Sequence, residues 1–248
     1  MPEQPSPRPA EPELLLPVGE VQSNGLGTEF TPDGVLVQCG VDECGVGSAI
    51  AEVYAASCIL NPKRRIKGLR DSKQLTPKRR QELSEEIKAK ALDFCIATAS
   101  LEEIERLNVF GATMLAMTRA VAGLKIKPDL VLIDGNRMPK LSVPARTIVK
   151  GDAKVRAISA ASILAKVARD EAMLQYHARF PEYGFAEHKG YLTESHFQAL
   201  KRFGPCPIHR RGYEPIRILL DPTTSSAQLR LLFADPGEAN EQPSLAEE

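Results

Sequence analysis

The chain has 248 residues, 32 basic and 32 acidic side chains with no net charge, and 43% apolar residues. That is the length of one domain, with enough apolar sequence for a sizeable core, and no apolar run approaches the ~18 residues that would cross a membrane. Five cysteines (Cys39, Cys44, Cys58, Cys95 and Cys206) without a C-x-x-C pair argue against a disulfide framework or a zinc site and for reduced thiols in a cytoplasmic protein.

The first thirty residues are proline-rich and acidic, lack the basic region of a signal peptide, and are expected to form a disordered extension. A catalytic domain is expected over 31–222 and a mostly disordered acidic tail over 223–248. With four acids and one base in residues 1–20, and five acids and no base in 231–248, the remaining 210 residues hold 31 bases and 23 acids, a net of +8. Three β-like runs open the body: "VLVQCGV" (35–41), "AIAEVYAASCIL" (49–60) and "DFCIATA" (93–99). Between the second and third lies "KRRIKGLRDSKQLTPKRR" (63–80), with nine bases around Asp71. Two readings of it stand, a solvated charged loop and a phosphate-contact surface. Thr76 and Pro77 then start a helix expected to run to about Leu92.

Ser100-Leu101-Glu102-Glu103 is a capping-box pattern, and Met114, Met117, Val121 and Leu124 form one core-facing stripe of the helix it opens. "DLVLID" (129–134) and "ARTIVK" (145–150) read as further strands. "ISAASILAKVARDEAMLQYH" (158–177) reads as a helix with Ile163, Leu164, Val167 and Leu174 inward, and 193–202 as one more helix. This order predicts an α/β domain with a mixed central β-sheet flanked by helices and a small helical C-terminal part.

Three of these strands end in acids: Asp42 and Glu43 after the first, Asp134 at the end of "VLID", and Asp152 two residues past "RTIVK". Each acid alone reads as the cap of a following turn. If the strands are neighbours, the four carboxylates meet at one sheet edge, where mutual repulsion calls for a hard divalent cation. The histidines show no H-x-x-x-H spacing, which argues against zinc, and no phosphate-binding P-loop motif occurs.

The blocks "CGVDE", "GLRDSKQLTPKRR", "VLIDGNRMP", "IVKGDAKVRAISAASILAKVARD", "PEYGFAEHKGYLT" and "FGPCPIHR", in this order over about residues 35–217, closely resemble bacterial ribonuclease HII, the type 2 ribonuclease H. The resemblance implies a ribonuclease H-like fold and Mg2+- or Mn2+-dependent hydrolysis, through two metal ions, of the RNA strand of RNA–DNA hybrids. It also implies incision 5′ to a ribonucleotide embedded in duplex DNA. It carries the family's metal-binding, catalytic carboxylates onto Asp42, Glu43, Asp134 and Asp152, leaving Asp170 as a structural acid. It carries substrate contacts onto Gly45, Val46, Gly47, Lys73, Lys189 and Tyr191, with Tyr191 packing against a sugar. A replication or repair protein is a further expected partner, through the tails.

The chain departs from the family where D-E-A-G-R-G-P-L-A-G-P becomes D-E-C-G-V-G-S-A-I-A-E. Val46 stands for an arginine that supports phosphate binding, Ser48 for a proline, and Glu52, expected to point to solvent, for a small residue or proline. Three readings follow: a metal-dependent endoribonuclease with all four carboxylates present, a hybrid-binding protein with little catalysis, and an active nuclease with relaxed junction preference that still cuts long hybrids.

Overall fold

A computed structural model of the protein describes residues 36–225, and the two expected tails lie outside them, except for 223–225. The runs expected as strands form β1 (Gln38–Cys44), β2 (Val53–Ile59), β3 (Asp93–Ala99), β4 (Leu130–Asp134) and β5 (Ala145–Ile148). They join in one sheet of order β3-β2-β1-β4-β5, antiparallel between β1, β2 and β3 and parallel from β1 to β4 to β5. The sheet is therefore mixed, as the alternation of elements predicts.

Two boundaries differ from expectation. β1 runs on to Cys44 because its pairing with β2 continues to Cys44 opposite Tyr54, so Asp42 and Glu43 lie within the strand and not after it. β2 begins only at Val53. Ala49, Ile50 and Ala51 are buried instead against the C-terminal part, where Ala49 N–H donates to Gly190 O (3.0 Å) and Ala51 N–H to Ile208 O (2.9 Å).

Helices cover both faces of the sheet. α1 (Pro77–Lys90) starts at Thr76, whose hydroxyl accepts from Arg79 N–H, and α2 (Leu101–Ala122) starts at a complete capping box of Ser100 and Glu103. Met117 is buried on α2; Met114 and Val121 pack beside it, as does Leu124 just past the helix end. After the short α3 (Gly151–Lys154), α4 (Arg156–Arg179) lies along β1 and β2. Its N-terminal end meets β1 at Gly40, where a Cβ would stand 2.1 Å from the backbone carbon of Ala157 and 2.2 Å from Ile158 N. Only glycine permits that approach.

On α4, Ile163, Leu164 and Val167 are buried as expected, but Leu174 is 53% exposed. The inward face passes instead through Arg169, Met173 and Tyr176, all buried. Asp170 anchors α1: its Oδ2 accepts from Arg80 Nη1 (3.1 Å) and its Oδ1 from Lys166 Nζ (2.6 Å). Arg80 also donates to Ser72 O and Leu75 O, both at 3.0 Å. Arg80 thus belongs to the scaffold and not to the exposed bases of the 63–80 loop.

The C-terminal part comprises α5 (Phe185–His188), α6 (Glu194–Phe203, matching the expected 193–202) and α7 (Glu214–Leu220), a helix that the sequence pattern does not predict. Within it Cys206 N–H donates to His209 Nδ1 (2.9 Å), His209 Nε2 lies 3.1 Å from His196 Nε2, and His196 Nδ1 lies 3.0 Å from Tyr191 O. One tautomer set satisfies the chain: both rings neutral, His209 donating to His196 and His196 to Tyr191 O. The ring of His188 stacks on His196 at 4.5 Å. Burial pushes His196 and His209 down to about 4.

Because these folded-state values lie below the unfolded value of about 6.5, the unfolded chain takes up protons first as pH falls. The stability from the neutral pair is therefore fully present above about pH 6.5 and is lost progressively toward about pH 4. The slope reaches about 1.4 kcal/mol per pH unit for each proton taken up. Thermal melts from pH 4 to 7.5 are expected to show this decline, and His209→Gln to flatten it while lowering the melting temperature at pH 7.5.

Candidate active site

β1 and β4 run parallel with Val41 beside Ile133, so the next residues, Asp42 and Asp134, emerge together at one sheet edge. Side chains alternate along β1. Val41 belongs to the core under α2, whereas Gly40 and Asp42 face α4. Asp134 Oδ1 accepts from Gly151 N–H (2.6 Å) and Asp152 N–H (3.3 Å), which ties the first turn of α3, and Asp152 with it, to the end of β4. The sheet edge thus gathers the four acids that the sequence had placed at strand ends.

Their electrostatics follow from that gathering. Asp42 is pushed well above the usual carboxylate range by burial, then by Glu43 and Asp134. Glu43 is raised by burial and by Asp134, and Asp152 by burial, then by Asp134 and Asp71. Lys73, exposed nearby, opposes the rise weakly at both Glu43 and Asp152. Ser162 of α4 opposes the rise at Asp42, and its hydroxyl lies 2.8 Å from that of Ser72. The "DSK" segment therefore borders the acids, with Ser72 bonded to Ser162 and Lys73 nearby.

The donors are oxygens, the set that suits a hard cation. Among the described residues no group of three or more His, Cys, Asp and Glu side chains is placed to hold a metal ion. Magnesium needs none, since it is held by one or two carboxylates with water and substrate phosphate completing its shell. Raised carboxylates that lack a full set of counter-charges fit such an ion.

Beside the acids, Gly45 turns at φ +93° and Gly47 lies close to Tyr191, whose Cε1 would be 3.8 Å from a Cβ at position 47. Tyr191 is 41% exposed, and its ring is open to a ligand. Lys189 is in the left-handed region (φ +53°), with Nζ donating to Ala186 O (2.5 Å). Val46 packs against the core under α2. The hydroxyl of Ser48 is 3.1 Å from both Ile50 O and Gly190 O and accepts from Ile50 N–H, joining the turn to the Lys189–Tyr191 segment. Glu52 does not point to solvent. Its Oε1 accepts from Tyr176 O–H (2.7 Å), and Oε2 is buried without a partner among the described residues. Because position 52 directly precedes β2, its side chain is held in the layer between the turn and α4.

Two arginines of this site escape a reading of the sequence. Arg210 donates to the carbonyls of Gly45 (2.8 Å), Val46 (2.8 Å), Ala51 (2.8 Å) and Glu52 (3.2 Å), so one guanidinium holds both ends of the 45–52 loop. Burial, and then Arg169, lower it to about 10. Arg169 is fully buried; its Nη2 donates to Lys189 O (2.8 Å), while Nε and Nη1 have no partner among the described residues. A buried donor left unpaired costs about 1–3 kcal/mol. One signal could have flagged Arg169: Ser162, Arg169 and Tyr176 recur every seven residues, a polar line on the inner face of an otherwise apolar helix.

The ribonuclease HII family model matches residues 39–215. A ribonuclease HII of Desulforamulus reducens is 59% identical over 186 residues, covering 75% of this chain and 94% of that protein. A ribonuclease HII of Natranaerobius thermophilus is 56% identical over 188 residues, covering 75% and 95%. The crystal structure of the ribonuclease H2 from Pyrococcus horikoshii OT3 superposes with a TM-score of 0.63 at 27% identity, covering 74% of this chain and 97% of that one. The mixed sheet with helices on both faces is thus the ribonuclease H-like fold, and the chain belongs to the ribonuclease HII family.

Proposed function

We propose that the protein is a divalent-metal-dependent endonuclease that cleaves the RNA strand of RNA–DNA hybrids and incises duplex DNA on the 5′ side of an embedded ribonucleotide. Family membership makes it a ribonuclease H. The observation that carries the finer reading is the convergence of Asp42, Glu43, Asp134 and Asp152 at one edge, with Lys73 nearby and the Gly45–Gly47 turn and Tyr191 alongside.

In this reading the four carboxylates hold Mg2+ or Mn2+. Held there, a divalent metal would supply the chemistry of activating a water and stabilising the leaving oxygen of the phosphodiester. The chain's own groups do the rest. Lys73 offers a cation to the phosphate that bridges toward the acids. The glycine turn, free of Cβ atoms, lets its backbone approach a 2′-hydroxyl, the group by which RNA differs from DNA. Tyr191 gives the neighbouring sugar a flat apolar face. Asp134→Asn is expected to lower turnover by roughly a hundredfold or more with the melting temperature nearly unchanged, since it removes a ligand charge and not a shape. Asp170→Asn is expected to do the reverse, keeping turnover while destabilising the α1–α4 junction by about 1–2 kcal/mol. Paired kinetics and melts of the two variants check both.

The exposed bases of the 63–80 loop, Arg70 and Lys73 among them, support backbone binding. Affinity for a hybrid duplex is expected to fall as salt rises. Arg70→Gln and Lys73→Gln together are expected to reduce the logarithmic slope by about 0.9 for each phosphate that is no longer neutralised. Fluorescence anisotropy across a salt series measures it. Arg80→Gln is expected to lower the melting temperature instead, because its charge is committed to Asp170.

Val46 leaves the turn without the family's arginine, which favours a weakened grip on a single ribonucleotide over loss of chemistry. Arg210 fixes the carbonyl of Val46, so a new side chain there enters an already ordered turn. Val46→Arg is expected to raise kcat/KM on a duplex with one ribonucleotide by roughly ten- to a hundredfold, the equivalent of one charge-assisted hydrogen bond. A smaller gain is expected on a long hybrid, and parallel kinetics on the two substrates check it.

A further inference from the structure

Arg169 is a poor device for stability. Its guanidinium is fully buried, two of its nitrogens are unpartnered among the described residues, and it bears on a second buried cation, Arg210. Its neighbour Asp170 is occupied by Arg80 and Lys166. Buried charges of this kind are often replaced by apolar side chains without loss of stability.

What Arg169 touches explains its presence better. A Cβ at position 45 would stand 2.3 Å from its Nε and 2.7 Å from its Cδ, so glycine at 45 is required by this side chain as well as by φ +93°. Nη2 donates to the carbonyl of Lys189, a non-glycine residue held at φ +53°, and Cζ lies 5.6 Å from the centre of the Tyr191 ring. One side chain therefore touches the turn that approaches the ribose, the strained residue that precedes Gly190 and Tyr191, and the ring offered to the adjoining sugar. Backbone strain of the kind at Lys189 persists only where surrounding groups impose it.

We propose that Arg169 is a positioning residue for single-ribonucleotide recognition: from beneath Gly45 it locks the Gly45–Gly47 turn and the Lys189–Tyr191 segment in one register, so that both meet the same nucleotide. The proposal rests on the ribonucleotide-incising activity set out above. It assigns junction discrimination in this chain to a cation on α4, at a turn whose own middle side chain, Val46, is uncharged.

The test compares full-length wild type with Arg169→Met, Arg169→Lys, Tyr191→Leu and the double variant Arg169→Lys/Tyr191→Leu. Two substrates are used with Mg2+ and Mn2+, a DNA duplex with one ribonucleotide and a long RNA–DNA hybrid. Arg169→Met is expected to melt at or above the wild-type temperature. Both Arg169 variants are expected to lower kcat/KM on the single-ribonucleotide duplex by about tenfold, mostly through KM, and to stay within about threefold on the hybrid. Lysine keeps the charge but not the fork that reaches Lys189 O while facing the ring, so it is not expected to rescue. The Arg169→Lys and Tyr191→Leu effects on discrimination are expected to be non-additive, because the two residues act as one unit. If Arg169→Met does not fold, the lysine variant and the double variant carry the same comparison. An unchanged substrate ratio in Arg169→Lys, additive effects in the double variant, or equal losses on both substrates in step with a lowered melting temperature would overturn the proposal. A wild-type protein that cleaves the hybrid but not the single-ribonucleotide duplex would remove the incision reading beneath it, and the proposal with it.

Discussion

The approach of α4 to β1 at Gly40 sets the geometry of everything else. With no Cβ at position 40, the helix backbone rests directly on the strand, and each residue of α4 is thereby indexed to a place along the sheet. Ser162 falls beside Asp42, Arg169 beneath Gly45, and Tyr176 against Glu52. Asp170, on the adjoining flank, receives Arg80 and fastens α1. A side chain at position 40 would push the helix off the strand, and the loss would be felt at the acids, the glycine turn and the basic loop together.

Much of this was legible in the sequence. Capping chemistry at Thr76 and Ser100 marked helix starts correctly because such caps are local. The acids at strand ends were readable because carboxylates interrupt apolar runs, and parallel pairing of β1 with β4 brings them together. What was not legible depended on distant partners. Ala49-Ile50-Ala51 has the composition of a strand, yet its backbone bonds go to Gly190, Ile208 and Arg210. Arg80 sits among eight other bases and differs from them only in having Asp170 across from it. Leu174 continues the apolar period of α4, yet there the inward positions are Met173 and Tyr176, packed in the cluster with the C-terminal part.

The loop from Val46 to Glu52 shows how a turn beside the acids is held from within. Ser48 contributes a hydroxyl that bridges to Gly190 O, a bond that proline could not make. Glu52 brings a carboxylate into a layer that already holds two guanidiniums, bears on that of Arg210, and accepts from the Tyr176 hydroxyl. Val46, half-buried, rests one side against the core under α2, and its carbonyl accepts from Arg210. The loop is held by buried polar bonds, with Arg169 and Arg210 packed under the turn.

The bonds that complete this site also govern when it comes into being. The Ser72–Ser162 hydroxyl pair spans 90 residues, and Arg210 reaches Gly45 across 165. Bonds of such sequence separation form late in folding. On the ribosome, where the N-terminal part emerges first, Asp42 and Glu43 are exposed well before Asp134, Asp152 or Arg210 has been synthesised. The growing chain therefore carries Asp42 and Glu43 before Asp134, Asp152 and Arg210, the residues that complete this edge of the sheet, have been made.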